Sequence, residues 1–166
     1  MEKAGVLLTD LSKAFDCLVH DLFIAKLHGY SFDYMALKLI YSYQGSILGP
    51  DLFNINSNDL FLFLILDIAN FADDNSPFSC NTTTTNVISD LQNEAHILLN
   101  WLRNNGQKAN PEKFHLILSD PSEQHSVLVG NNSIQNSKCE KLLGIKIDNK
   151  LTFDEHISCI CSKASL

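Results

Sequence analysis

Basic charge is scarce in this chain. Its 166 residues hold 12 Lys and Arg against 19 Asp and Glu, a formal net charge of −7 at pH 7. That balance is awkward for any nucleic-acid partner, because polyanions are held by clustered Lys and Arg, and the basic surfaces such a partner needs would lie mostly outside this chain. Long apolar runs are missing too. The longest, Leu60-Phe61-Leu62-Phe63-Leu64-Ile65-Leu66, ends at Asp67 and falls far short of the roughly 20 residues that span a bilayer. It reads as core, and no membrane partner is expected. No secretory leader opens the chain, and its five cysteines have no regular disulfide spacing. Both absences argue against a disulfide-stapled extracellular domain and for a reducing intracellular setting, cytoplasm or nucleus. Cys159 and Cys161 with His156 supply too few ligands for a zinc centre. No internal repeat is present.

What is abundant is apolar side chain, 45% of the residues with 9% aromatic, enough for a packed core in one domain or part of a larger one. Val6-Leu7-Leu8 predicts a buried strand that delivers Asp10 to its end. Ser12 is placed to cap a helix with Phe15, Leu18, Val19, Leu22 and Leu27 on its apolar face, stopped by Gly29. Tyr34–Tyr43 predicts a second helix, and a third follows through Leu52, Phe53 and Ile55. Residues Leu64 to Phe71 read as a strand, Asp73-Asp74-Asn75 as a tight turn, and Ser76–Cys80 as the returning strand, with Pro77 marking an edge or irregular position.

The clearest helix follows the threonine run after Asn81. Val87, Leu91, Ala95, Leu98 and Leu102 recur at helical spacing, and Asn104-Asn105-Gly106 ends the element. Lys113–Leu118 is strand-like. Ser126–Val129 and Ser133-Ile134 about Gly130-Asn131-Asn132 predict a hairpin. Leu142–Ile147 predicts one further strand, and the tail from Asp154 is helical.

The chemistry-bearing feature is Phe71-Ala72-Asp73-Asp74. Adjacent carboxylates at an apolar strand end repel unless a proton or cation offsets them. Taken alone such a pair is most simply a solvated turn. With Asp10 converging from another segment, three aspartates could instead hold two hard cations and create a phosphoryl-transfer site.

Five segments stand in order: Asp10-Leu11-Ser12-Lys13-Ala14-Phe15-Asp16, Gln44-Gly45-Ser46-Ile47-Leu48-Gly49-Pro50, Phe71-Ala72-Asp73-Asp74, Asn110-Pro111-Glu112-Lys113 and Leu143-Gly144-Ile145. Together they resemble the palm of a reverse transcriptase of the non-LTR (LINE-like, Jockey-like) retrotransposon kind. The resemblance implies an α+β fold, a palm-like antiparallel sheet with helices packed on one face, over residues 1–157, and a short tail at 158–166. It implies RNA-directed DNA polymerisation, in which a primer 3′-hydroxyl attacks the α-phosphate of a dNTP on an RNA template with Mg²⁺ or Mn²⁺. Asp10 and Asp73 match the principal metal ligands, and Asp74 the third acid.

Other matches are residue by residue. Phe15 matches the bulky residue under the nucleotide sugar, although on spacing alone it is plain helix core. Gln44 matches the residue that positions the incoming nucleotide, Lys113 a proton donor near the triphosphate, and Leu143-Gly144 a hairpin that grips the primer. Elsewhere, His20 and Trp101 read as structural, and Asp16 as an ordinary helix residue.

The chain also departs from the family. The fingers region that precedes the palm is expected to be missing, and Tyr41-Ser42-Tyr43 runs straight into Gln44, an internal deletion near residues 43–44. The Leu60–Leu66 run is more apolar than relatives carry there, an exposed-patch hazard if neighbouring elements are gone. Two functions therefore stand side by side: a polymerase palm fragment with weakened nucleic-acid binding, and a non-catalytic remnant reused as a protein-binding module. A metal-dependent phosphohydrolase is a third, opposed by the Gln-Gly loop and the lysine motif. The sequence does not fix an oligomeric state.

Overall fold

A computed structural model describes residues 2–12, 19–42, 49–71, 74–119 and 124–164. The expected cap and first helical turns from Ser12 through Leu18, the Gln44 loop with its junction near 43–44, and Asp73 fall wholly or mostly outside these described residues.

Six strands form one sheet in the order β3-β4-β1-β6-β8-β7: β1 (Lys3–Leu8), β3 (Asp67–Phe71), β4 (Asp74–Asn81), β6 (His115–Leu118), β7 (Ser126–Val129) and β8 (Asn132–Ser137). The pairings are antiparallel except one. β6 and β8 run parallel, with Leu116 opposite Asn136, so the architecture is mixed α/β and the sheet is not the purely antiparallel one expected.

The long helix α4 (Thr84–Asn104) begins at Thr83, whose side chain accepts the Asn86 N–H at 3.2 Å. Its apolar stripe packs on one face of the sheet. Val87, Leu91 and Ala95 bury with Leu7, Leu116, Leu118, Val127 and Val129 into the largest core cluster. Gly5 makes that approach possible. A Cβ there would stand 2.6 Å from Val87 Cγ1 and 2.7 Å from Leu118 Cδ2, closer than carbon atoms tolerate. At the β7 edge, the Gln92 side chain mimics a neighbouring strand, its Oε1 accepting the Leu128 N–H at 2.6 Å while its Nε2 donates to the Leu128 carbonyl. An edge occupied in this way is closed to further strand pairing.

Helices α1 (His20–Gly29), α2 (Tyr34–Ser42) and α3 (Gly49–Ser57) share a second cluster around Phe23, Leu27 and Leu37. A third cluster, Phe53, Leu60, Leu98, Trp101 and Leu102, ties α3 to the C-terminal half of α4. Lys26 reinforces that joint, donating to the Asn56 carbonyl at 2.8 Å and Asp59 Oδ1 at 2.9 Å, with its amine 4.9 Å from the Trp101 ring centre. Such a desolvated ammonium over an indole face is attractive. His20 is structural as well, its ring tilted at 60° against that of Tyr41 with centroids 4.8 Å apart.

Several expectations are corrected. The strand predicted over 64–71 begins only at Asp67, because the Leu64 N–H still donates back to the Leu60 carbonyl of the 3₁₀ turn at Asn58–Leu62 and those of Ile65 and Leu66 are taken by Glu94. Within the apolar run, Leu60 is buried and Leu64 and Leu66 partly so, whereas Phe61, Leu62, Phe63 and Ile65 are exposed. The run is largely surface, as the exposed-patch expectation had it, and not the core it resembles.

Asn75 lies inside β4 opposite Asn70, and Asp74 opposite Phe71, so neither belongs to the turn expected at Asp73-Asp74-Asn75. Pro77 occupies an inner strand. Without an amide hydrogen it cannot donate, and the β1–β4 ladder that reaches Val6↔Phe78 resumes only at the Thr9↔Asn75 bridge. Lys113 belongs to a 3₁₀ turn, Pro111–Lys113, ahead of β6, since Pro111 is suited to a first helical position.

The single strand expected over 142–147 is a hairpin, β9 (Cys139–Leu142) and β10 (Ile145–Asp148). Leu143 and Gly144 both take positive φ, 48° and 88°, the signature of a tight two-residue turn. This hairpin lies over the sheet face opposite α4. Ile147 and Leu151 approach Val6, Phe78 and Ile117 there, around an apolar pocket of about 150 Å³. Helix α5 (Asp154–Ala164) follows. No described helix is long and apolar enough to cross a membrane.

Candidate active site

Asp10 stands just past the end of β1, in the chain between Thr9 and a two-residue strand, β2 (Leu11–Ser12), which pairs with β5 (Lys108–Ala109). Both flanks fix its backbone. The Thr9 N–H donates to the Asn75 carbonyl at 3.1 Å, and the Asp10 carbonyl accepts the Asn110 N–H at 3.3 Å. The first residue tethers Asp10 to the strand that follows the acidic turn, and the second to the segment that carries Lys113. Asn110-Pro111 then places Lys113 so that its Nζ donates to Asp10 Oδ2 at 2.9 Å.

Asp74 opens β4 one strand away. Beside it the Asn70 amide donates to Asn75 Oδ1 at 2.8 Å, which ties β3 to β4. Asp10, Asp74 and Lys113 line a single open cleft of about 250 Å³, together with Thr9, Ser76, His115 and the hairpin residues Lys141, Leu142 and Leu143. His115 Nδ1 is 3.1 Å from Glu140 Oε1, which seats the hairpin on the sheet beside the cleft.

Of the six residues singled out from sequence, the fold brings Asp10, Asp74 and Lys113 together. Asp73, Phe15 and Gln44 lie outside the described residues. Among the described residues no three His, Cys, Asp or Glu side chains converge to hold a metal ion. The carboxylate oxygens of Asp10 and Asp74 are the hard donors Mg²⁺ and Mn²⁺ take, and both residues line the cleft, a donor chemistry that fits such an ion.

Sequence reasoning passed over three residues that shape this region. Lys141 and His115 come to the cleft only through the hairpin and the strand register, which no local pattern announces. Glu94 did leave a signal. It lies between Leu91 and Leu98 on the buried stripe of α4, a charge where an apolar side chain is expected, and it is 1% exposed. Burial holds its carboxyl above the ordinary value, opposed by the N–H groups of Leu66 and Ile65.

Two comparisons with known proteins bear on this arrangement. The model of the reverse transcriptase (RNA-dependent DNA polymerase) family matches residues 2–147. The RNA-directed DNA polymerase from mobile element jockey of Drosophila melanogaster is 28% identical over 125 residues, covering 69% of this chain and 14% of that protein.

Proposed function

This chain belongs to the reverse transcriptase (RNA-dependent DNA polymerase) family, and we propose that its cleft is the nucleotidyl-transfer site of a retrotransposon palm of the non-LTR kind. The observation that carries the reading is the convergence of Asp10, Asp74 and Lys113 on one cleft from three separate segments. The family generally uses divalent metal ions. Here Asp10, Asp73 and Asp74 would hold Mg²⁺ or Mn²⁺, which offsets charge on the phosphoryl oxygens and makes a primer hydroxyl a better nucleophile.

The chain's own groups divide the remaining work. Lys113 carries a proton on Nζ at the cleft wall, where it can pass to the departing pyrophosphate. Phe15 would floor the nucleotide sugar and Gln44 would orient the incoming dNTP. The RNA template and DNA primer would lie across the sheet end against the β9–β10 hairpin. With a net charge of −7, this chain alone supplies little of the electrostatic attraction that holds a duplex. In this reading residues 1–157 act as the palm body of an intracellular polymerase.

A second reading, a non-catalytic protein-binding remnant, draws on the exposed Leu62, Phe63, Ile65 and Phe71 around β3, a patch of the kind partners cover. Primer extension on a poly-rA template with Mn²⁺, run beside the Asp73→Asn/Asp74→Asn double variant, separates the two. Extension by the natural chain that the double variant lacks supports the polymerase. Absence of extension by folded natural protein favours the remnant.

A further inference from the structure

Ionised carboxylates are almost never fully buried without a cation beside them. Glu94 instead meets two backbone amides. The Ile65 N–H donates to Oε1 at 3.0 Å and lies 3.2 Å from Oε2, and the Leu66 N–H donates to Oε1 at 3.3 Å. These amides sit where the chain leaves the Asn58–Leu62 turn and enters β3. A core helix thus holds the root of a surface strand by its main chain.

Beyond this root, β3 is supported by its pairing with β4 and by the Asn70–Asn75 side-chain bond. It is a sheet edge paired only with β4, and four of its five residues are exposed, with Ile68 half-buried. At the root, Leu64 and Leu66 lean on the core, but apolar contact is non-directional and permits sliding and rotation. Charge-assisted hydrogen bonds fix direction as well as distance. The far end of β3, Phe71, pairs with Asp74, so an error at the root carries along the strand to that acid.

We infer that Glu94 is a positioning residue for Asp74, fixing the root of β3 and so the placement of that acid relative to Asp10. The inference rests on the reading of those acids as a metal site.

The test compares the full natural chain with Glu94→Leu and Glu94→Gln. Mn²⁺ affinity is read by electron paramagnetic resonance, and amide hydrogen exchange is read across residues 64–80 and across α4. The leucine variant is expected to keep the slow exchange of α4 while exchange over 65–75 accelerates and Mn²⁺ affinity falls about tenfold. Glutamine, which retains an acceptor oxygen, is expected to restore both. Unchanged Mn²⁺ affinity in the leucine variant, with a natural chain that does bind Mn²⁺, overturns the inference. If the natural chain binds no Mn²⁺, the metal-site reading fails, and exchange alone decides: acceleration over 65–75 rescued by glutamine supports the anchoring role, and unchanged exchange removes it. A leucine variant that loses protection throughout α4 as well would make Glu94 a general fold residue and also overturn the inference.

Discussion

Lys113 Nζ donates to Asp10 Oδ2 at 2.9 Å, across 103 residues of chain. The lysine side chain is 58% exposed and the aspartate 29%, so the pair adds at most about 1 kcal/mol to stability. Its significance is chemical. One oxygen of the carboxylate that would ligate a metal is already occupied by a cation, and a divalent ion must share or displace it.

Lys113→Met is therefore expected to tighten Mn²⁺ binding severalfold by removing a competing charge, while leaving the unfolding midpoint within error. In a chain that extends primers, the same change should slow turnover, because the proton on Nζ is lost. Isothermal titration with Mn²⁺ and urea unfolding check the first two effects. Weaker Mn²⁺ binding would mean that Lys113 supports the site's geometry and does not compete for it.

Gly5→Ala should destabilise the fold by about 1–3 kcal/mol, the usual range for overpacking a tight core. The added methyl would meet Val87 and Leu118, and neither can move without opening the α4–sheet contact. The urea midpoint reports the loss. Pairing Gly5→Ala with Val87→Ala should recover part of it, and an unchanged midpoint in the single variant would mean that α4 sits farther from β1.

The acidic limb of stability carries opposite signals from two carboxylates. Burial raises the Glu94 carboxyl above its ordinary value near 4.5, so the folded chain binds that proton more tightly than the unfolded chain does. Its favourable contribution is full below pH 4.5 and is lost as pH rises through the raised folded value. Asp148 behaves in reverse. The Thr152 N–H foremost, with those of Phe153 and Lys150 and the Thr152 hydroxyl, holds it below its ordinary 3.8, so its contribution is full above that value and disappears as pH falls through the lowered one. Urea unfolding over a pH series should show Glu94→Gln flattening the slope just above pH 4.5 and Asp148→Asn flattening it just below 3.8.

Helix α4 was the most legible element, because its core positions recur every three or four residues and Thr83 caps it. Legibility declined where the chain turns without an obvious breaker. Leu142–Ile147 reads as one β-rich run, yet Leu143 accepts a left-handed backbone beside Gly144 and folds it into a hairpin. The Leu60–Leu66 run looked like core because composition cannot say which apolar residues have neighbours to pack against, and here a 3₁₀ turn points most of them outward. The parallel β6–β8 pair depends on a long-range register that periodicity does not encode. In the site, Asp10, Asp74 and Lys113 could be named from their segments, whereas the fold alone brings Lys141 and His115 to the same cleft.

Mn²⁺ binding to the natural chain, followed by electron paramagnetic resonance beside Asp10→Asn and Asp74→Asn variants, tests the central claim most directly. Binding in the natural chain that weakens in both variants is the predicted result, because the two carboxylates face one cleft. Binding that neither substitution changes, or no binding by folded protein, would contradict the assignment of this cleft as the nucleotidyl-transfer site.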